Sequence, residues 1–107
     1  MLKLGDYKMN QLKLDLRKFT KDRNWEQFHS PKNLAMALSV EVAELVEIFQ
    51  WKRENEGLIS NEYQNLKDEI GDVMIYLTMI ADCFNLCPIE MAKQKFKKNE
   101  KKHPINV

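Results

Sequence analysis

The feature that most restricts the fold of this chain is a pair of matching acidic motifs, Glu41-Val-Ala-Glu44 and Glu69-Ile-Gly-Asp72. In each motif the two acids are spaced i, i+3, which on an α-helix puts both carboxylates on one face, about one turn apart. Because the two spacings are equal, an antiparallel helical hairpin would set Glu41 level with Asp72. It would also set Glu44 level with Glu69, with its turn in segment 53–57, where the helical pattern lapses. The motifs therefore predict four carboxylates on one patch between two helices.

Four carboxylates at such close range repel one another strongly unless a proton or a cation is shared among them. Ligand sets made only of oxygen favour a hard divalent ion such as Mg²⁺. We therefore predict a metal site, with Mg²⁺ as the ion and Mn²⁺ as an alternative, whose ligands and catalytic carboxylates are Glu41, Glu44, Glu69 and Asp72. Acids on helices usually lie on a solvated face, and Glu47, one turn beyond Glu44, fits that ordinary interpretation.

The rest of the sequence has the pattern of a small helical bundle. Its 107 residues have room for one domain with a modest core, and we see no domain boundary within 1–107. Gly and Pro number only three each and strand-like alternation is absent, so the predicted fold class is all-α, a four-helix bundle. The four helices are predicted over about Asp6–Lys21, Pro31–Lys52, residues 60–84 and Pro88–Lys101.

Local signals mark the ends of these helices. Ser30 is a good N-cap and Pro31 a good first helical residue. Ser60 or Asn61 can cap the third helix. Pro88 disfavours helical geometry at the residue before it, so it ends the third helix and opens the fourth. The inward faces predicted from the apolar spacing consist of Leu34, Leu38, Val42, Leu45 and Phe49, of Leu66, Ile70, Val73, Leu77, Ile80 and Phe84, and of Met91, Ala92 and Phe96.

The segment between the first two helices contains Trp25, Phe28 and His29 and has no helical periodicity. Such a loop either packs over the core or contacts a ligand. The composition favours packing over the core and leaves the second interpretation open.

Several classes of protein are disfavoured by charge and cysteine content. A net charge of +1 gives no general attraction to nucleic acid or to an anionic membrane. No apolar run is long enough to span a membrane, and the first residues lack the apolar stretch of a signal peptide. Cys83 and Cys87 have no nearby histidine and make a poor zinc set. We expect two reduced, largely structural thiols in a cytoplasmic protein.

The chemistry that best fits the four carboxylates is attack of water on a phosphoryl group, assisted by Mg²⁺. A di-iron centre would need histidines, and neither acidic helix has one. A glycosidase pair would need a sugar cleft, for which a small bundle has little room. The basic run Lys93–Lys102 suits a helix C-terminus and a solvated face, and beside a carboxylate-bound metal it would also suit a polyphosphate.

Five short motifs, in this order, resemble the MazG-like superfamily of all-α nucleoside triphosphate pyrophosphohydrolases, and in particular its deoxycytidine triphosphate pyrophosphatase branch. One Glu-x-x-Glu is a weak signal, but an ordered set from Trp25 to Pro104 is a strong one. The motifs are Phe28-His-Ser-Pro-Lys-Asn33, Glu41-Val-Ala-Glu-Leu45, Phe49-Gln-Trp-Lys52, Glu69-Ile-Gly-Asp-Val73 followed by Tyr76, and Lys95-x-x-x-Asn99-x-x-Lys102-x-Pro104.

The resemblance implies hydrolysis of (deoxy)nucleoside triphosphates to a monophosphate and pyrophosphate, with dCTP-like substrates favoured and a role in house-cleaning or pool control. It implies that the four acids bind Mg²⁺. The positions implied to enclose the base and sugar are Trp25, His29, Trp51 and Tyr76, and those implied to contact the phosphates are Lys95, Asn99 and Lys102. It also implies a homodimer or homotetramer, with no membrane or nucleic-acid partner. Ala43 stands where the family often has glycine, a change that adds only a methyl group and favours helix.

Helix geometry adds one expectation about assembly. In the predicted hairpin, Trp51 and Tyr76 lie on opposite sides of the acids, about 14 Å apart along the axis. One base could hardly stack on both within a single hairpin, so a second subunit would have to supply one of them.

Two other functions remain as alternatives. The first is a non-catalytic helical oligomeric interaction module that uses Trp51 and the apolar faces. The second is a nucleic-acid binder that uses Lys93–Lys102, which the balance of 16 acids against 17 bases disfavours.

Overall fold

The computed structural model describes residues 8–105 of the chain, and that part is all-α, as predicted. Its elements are α1 (Met9–Asp22), a short 3₁₀ helix (Glu26–Phe28), α2 (Pro31–Phe49), α3 (Ser60–Cys83) and α4 (Pro88–Lys102). The predicted start of the first helix at Asp6 lies outside the described residues.

The centre of the fold is the antiparallel hairpin of α2 and α3. These two helices pack along most of their length, whereas α1 and α4 contact α3 more briefly. The loop that joins α2 to α3 spans 50–59 and contains the turn position that the acidic motifs predict. α4 leaves α3 at 92°. No single helix within 8–105 is long and apolar enough to cross a membrane, and the bent α3–α4 pair meets those criteria only when its helices are combined.

α2 begins as predicted but ends earlier. Ser30 Oγ accepts a hydrogen bond from the backbone N–H of Asn33 at 3.1 Å, and Pro31 is the first helical residue. The helix ends at Phe49 rather than near Lys52, so the predicted end is wrong. The backbone N–H of Lys52 donates to Phe49 O at 2.9 Å, which tightens the chain into a turn instead of continuing the helix.

The N-cap of α3 is Ile59, so the prediction of Ser60 or Asn61 is wrong by one or two residues. Isoleucine has no side-chain oxygen with which to cap a helix. The carboxylate of Glu62, in the first turn, instead accepts from the backbone N–H of Ile59 at 3.0 Å. This is one half of a capping box, and it satisfies an N–H that would otherwise lack a helical partner.

Asparagines turn the chain after α1 and after α3. Asn24 and Asn85 both have φ of 56°, in the left-handed region that asparagine adopts more readily than most residues. The chain then changes direction within a few residues at each site.

Few side chains are fully buried in the described part of a single chain. Leu34 is 1% exposed and Thr78 is 0% exposed, where α1, α2 and α3 meet. Many of the predicted inward residues keep substantial exposure, among them Phe49, Ile70 and Phe84. The predicted inward face of α4 is also exposed, so that prediction is wrong for the single chain; Phe96, for example, is 66% exposed. The reason is the angle of α4, which carries most of that helix away from α3.

Candidate metal centre and adjoining cavity

Three of the four predicted carboxylates form one compact group. Glu41 reaches it from α2, and Glu69 and Asp72 reach it from α3. One oxygen from each carboxylate lies within 4.8 Å of the others, and all three side chains are half-buried. The equal spacing of the motifs and the antiparallel hairpin explain this convergence. The group can hold a metal ion.

Glu44 lies at the edge of this group rather than inside it. Its side chain is exposed, but it is close enough to raise the pKa values of both Glu41 and Glu69. A groove on this side of the hairpin is lined by Glu44, Glu47, Ile48, Glu62, Asn65 and Glu69. The prediction of four converging acids thus resolves into three that meet and a fourth on the rim.

The electrostatics of the group favour a shared proton or a cation. A hydrogen bond with Glu41, followed by burial and the nearby charge of Glu44, raises the pKa of Glu69 to about 7. For Glu41 the hydrogen bond with Glu69 lowers the pKa, but burial and the charges of Glu44 and Asp72 outweigh it and the pKa is raised. Ionising both carboxyls at the same time is therefore less favourable than ionising an ordinary glutamate.

Two oxygen atoms of the group fit this interpretation. Oε2 of Glu41 and Oε2 of Glu69 are buried and have no hydrogen-bond partner among the described residues. Buried polar atoms are normally satisfied, so two unpaired oxygens beside Asp72 fit a bound cation or a shared proton. A set of carboxylate oxygens with no nitrogen or sulfur suits a hard divalent cation.

A cavity of about 380 Å³ lies between α1 and α3, and Asp72 is one of its lining residues. It brings together three of the residues that the family resemblance implies for the base and sugar: Trp25, His29 and Tyr76. The other lining residues are Leu12, Asp15, Leu16, Phe19, Thr20, Ile75 and Met79. An aromatic and apolar cavity therefore adjoins a candidate metal ligand.

The aromatic wall of this cavity is held against α1. The Trp25 ring packs edge-on against Phe19, with centroids 5.6 Å apart, and against His29 at 6.3 Å. The guanidinium of Arg23 lies 3.6 Å from the centroid of the Phe19 ring. Nδ1 of His29 is buried and has no partner among the described residues, so it is available to a ligand. The loop thus both packs on α1 and lines a cavity, while Phe28 is 60% exposed.

The remaining predicted substrate residues lie elsewhere on the single chain. Trp51 follows the end of α2, is 89% exposed and is not among the residues lining the cavity at Asp72. Lys95, Asn99 and Lys102 are exposed on α4. About 16 Å of helix axis separates Asp72 from the end of α3, where α4 turns away. Contact of substrate with Trp51 and with these three residues of α4 stays a prediction.

Sequence reasoning missed two ion-pair clusters. Arg17 of α1 binds Asp82 of α3 through both Nε and a terminal nitrogen, at 2.7 and 2.5 Å, beside a second cavity of about 250 Å³. Lys52 binds Glu62, ten residues away, at 2.8 Å. Arg17 and Lys52 both occur in basic or mixed-charge stretches, where side chains are usually solvated. The sequence separation from Asp82 or from Glu62 does not identify either pair.

A model of the MazG-like family matches residues 36–107, about two thirds of the sequence. The chain belongs to the MazG-like family. This confirms the resemblance inferred from the ordered motifs. Residues 36–107 contain all four acids of the predicted metal site.

Named relatives agree with this assignment. The MazG-like chain is 37% identical to dCTP pyrophosphatase 1 of Mus musculus over 93 residues, which cover 83% of this chain and 55% of the mouse protein. It is 48% identical to dCTP pyrophosphatase 1 of Homo sapiens over 67 residues, which cover 59% of this chain and 39% of the human protein. The chain thus spans about half the length of these relatives or less.

A solved structure with the same fold covers nearly the whole chain. A pyrophosphatase from Archaeoglobus fulgidus superimposes with a TM-score of 0.79 and 42% sequence identity, covering 91% of this chain and 93% of that one. The arrangement of four helices is therefore shared with a protein of similar size.

Proposed function

We propose that this MazG-like protein is a nucleoside triphosphate pyrophosphohydrolase, which cleaves between the α and β phosphates and releases a nucleoside monophosphate and pyrophosphate. The observation that carries the proposal is that Asp72 belongs both to the carboxylate group with Glu41 and Glu69 and to the lining of an aromatic cavity. The relatives named dCTP pyrophosphatase 1 and the archaeal pyrophosphatase support the same reaction.

The carboxylate group would hold Mg²⁺, with Mn²⁺ as an alternative ion. When bound, Mg²⁺ neutralises phosphate oxygens and lowers the pKa of a bound water. Glu41, Glu69 and Asp72 supply the three oxygens that lie closest together, and the unpaired Oε2 atoms of the two glutamates fit a cation. Glu44, on the rim, keeps the site strongly anionic and could supply a fourth oxygen ligand or orient a water.

The aromatic cavity would hold the base and sugar. Trp25 and Tyr76 offer faces and edges for stacking, and Nδ1 of His29 offers a hydrogen bond to a polar edge of the base. A cavity of about 380 Å³ lies in the ordinary size range of small-ligand sites. We propose dCTP-like nucleotides as the favoured substrates, on the strength of the relatives' names. The proposed role is house-cleaning or control of the nucleotide pool.

We propose that the working form is a homodimer or homotetramer. An apolar groove along the hairpin, which includes Val46, Phe49 and Ile70, is open on the single chain. Burial of apolar area is the main driving force of association, so a second copy is a natural cover. It would also bring a Trp51 side chain toward the cavity of its neighbour, which Trp51 does not line within the single chain.

The decisive experiment measures pyrophosphate release from a panel of deoxy- and ribonucleoside triphosphates, with Mg²⁺ and with EDTA. We expect release that depends on Mg²⁺ and is fastest with dCTP or a close analogue. Glu41→Gln should abolish turnover by weakening metal binding. The matched control is Asp68→Asn, because Asp68 neighbours Glu69 in sequence but is exposed and bonds only to Gln64 among the hydrogen bonds described.

The competing function is the interaction module. If no nucleotide in the panel yields pyrophosphate, and Glu41→Gln changes nothing, the exposed apolar groove becomes the functional feature and the hydrolase proposal is wrong. Normal turnover and normal Mg²⁺ dependence in Glu41→Gln would remove that residue from the ligand set.

A further inference from the structure

The loop between α2 and α3, residues 50–59, is organised around Lys52. Its Nζ donates to Glu62 Oε1 at 2.8 Å and to Glu56 Oε2 at 3.3 Å. The Lys52 side chain is only 12% exposed. A lysine ammonium in a surface loop is normally solvated. The burial of Lys52 between two carboxylates therefore indicates a structural contact rather than a transient one.

Both carboxylates that bind Lys52 also bind the backbone of the loop. Glu56 Oε1 accepts from the N–H of Arg53 at 3.4 Å, and Glu62 Oε1 accepts from the N–H of Ile59 at 3.0 Å. One side chain thus connects the start of the loop to its middle and to the first turn of α3. We call Lys52, Glu56 and Glu62 the loop clamp.

Lys52 and Glu62 both stay charged at neutral pH. A hydrogen bond from Lys52, then one from the backbone of Ile59, lowers the pKa of Glu62. A hydrogen bond to Glu62 is the largest of the effects that raise the pKa of Lys52. Charge-assisted hydrogen bonds of this kind are stronger than neutral ones, although partial exposure to water screens them.

The clamp lies between two parts of the proposed site. Trp51 directly precedes Lys52, and it is 89% exposed, so its own packing does not hold it in place. On the other side, Glu62 lines the groove that also contains Glu44 and Glu69. About 10 Å of α3 separates Glu62 from Glu69. The clamp thus connects the segment that carries the tryptophan to the helix that carries the carboxylates.

We propose that Lys52 is a positioning residue: by binding Glu56 and Glu62 it holds loop 50–59 in one arrangement and presents the indole of Trp51 to a nucleotide. The contact of Trp51 with substrate rests on the proposed function. The ordering of the loop rests only on the hydrogen bonds above. Lys52 itself touches no candidate metal ligand among its described bonds.

The first test is spectroscopic and needs no activity. The chain has two tryptophans, so in a Trp25→Phe background Trp51 is the single emitter. Lys52→Met keeps an apolar stem and removes the charge. We expect a lower fluorescence anisotropy and faster acrylamide quenching of Trp51 than in the parent. Lys52→Arg should largely restore both, because it retains a donor group for the two carboxylates.

The second test is kinetic and uses Trp25 intact. Lys52→Met should raise KM for the best nucleotide about tenfold and leave kcat within about twofold, since the change affects binding rather than the carboxylates. The matched control is Lys18→Met, which removes another i, i+4 ion pair, with Asp22 at 2.7 Å on exposed α1. It should change neither KM nor the anisotropy.

Three results would overturn the proposal. They are an unchanged Trp51 anisotropy in Lys52→Met, a loss of kcat with KM unchanged, and a failure of Lys52→Arg to restore the parent behaviour. If Lys52→Met loses its helical circular dichroism signal, the same tests are made with Glu62→Gln. The glutamine amide oxygen still accepts from the N–H of Ile59, but it carries no charge to attract the Lys52 ammonium. If the wild-type protein hydrolyses no nucleotide, the proposed function fails, while the anisotropy still decides whether Lys52 orders the loop.

Discussion

At the scale of single residues, the carboxyls of Glu41 and Glu69 stand out by their partial burial and raised pKa values. They are half-buried, they face each other across the hairpin, and each has a buried oxygen with no partner among the described residues. In the absence of a cation, the cheapest way to relieve their repulsion is a shared proton. Metal binding and protonation therefore compete at the same atoms.

This competition predicts a particular pH dependence of stability. The pKa of Glu69 is about 7 in the folded chain, against 4.5 for the free side chain, so the folded state holds a proton that the unfolded state releases. The resulting stabilisation is present below about pH 4.5 and is lost as the pH rises through about 7. In thermal melts with EDTA, the wild type should lose melting temperature from about pH 5 to pH 8 more steeply than Glu69→Gln.

Addition of Mg²⁺ should reverse this trend. Cation binding needs the ionised carboxylates, so the increase in melting temperature caused by Mg²⁺ should grow as the pH rises through about 7. Glu69→Gln should show little increase at any pH. An equal response to Mg²⁺ in wild type and variant would exclude Glu69 as a ligand.

A second prediction at this scale concerns His29. Its Nδ1 has no partner among the described residues, so replacement by alanine should leave the melting temperature almost unchanged. Loss of one hydrogen bond to a bound base should raise KM by roughly tenfold, which corresponds to about 1.4 kcal/mol. His103→Ala, at the exposed end of α4, is the control and should behave as wild type. A large fall in stability with unchanged KM would make His29 a structural residue only.

At the scale of the elements, the sequence pattern predicts the interiors of the helices better than their ends. The start of α2 follows from Ser30 and Pro31, because capping depends on neighbouring residues alone. Its end at Phe49 does not follow from the pattern, since Lys52 leaves the helix to reach Glu62 on the next element. Similarly, the start of α3 at Ile59 does not follow from a capping side chain, since the contact there is the N–H of Ile59 donating to Glu62.

A prediction at the scale of the elements concerns the ion pair that attaches α1 to α3. Arg17 and Asp82 form a bidentate pair, and a hydrogen bond with Arg17 lowers the pKa of Asp82. Because α1 forms one wall of the aromatic cavity, Arg17→Met should lower the melting temperature and also raise KM. In a double-mutant cycle with Asp82→Asn, the two changes should be clearly non-additive. Additive effects would mean that the pair does not hold α1 in place.

At the scale of the whole molecule, the outstanding feature is how much apolar surface a single chain exposes. The groove that includes Val46, Phe49 and Ile70 lies on the helical hairpin itself, not on a loop. Large exposed apolar patches usually mark an interaction surface. A second copy of the chain would cover the groove. It would also explain why residues that the sequence pattern predicts to be buried are exposed in the single chain.

The corresponding prediction is measured by light scattering after size exclusion. The wild type should elute as a dimer or tetramer, and Ile70→Lys should shift it toward the monomer. Since Trp51 would then lose its neighbouring cavity, activity at low substrate should fall with the loss of assembly. Leu14→Lys, on exposed α1, is the control. A fully active wild-type monomer would contradict both the assembly and the shared site.

The sequence by itself determined the helices and the pairing of the acidic motifs, because helix geometry repeats over a few residues and spacing alone decides which side chains share a face. The ordered motifs also determined the family. Only the tertiary structure decided that Glu44 stays on the rim and that Trp25, His29 and Tyr76 share a cavity. It likewise decided the partners of Arg17 and Lys52 and the direction of α4. These features depend on how distant segments approach one another, which no local spacing specifies.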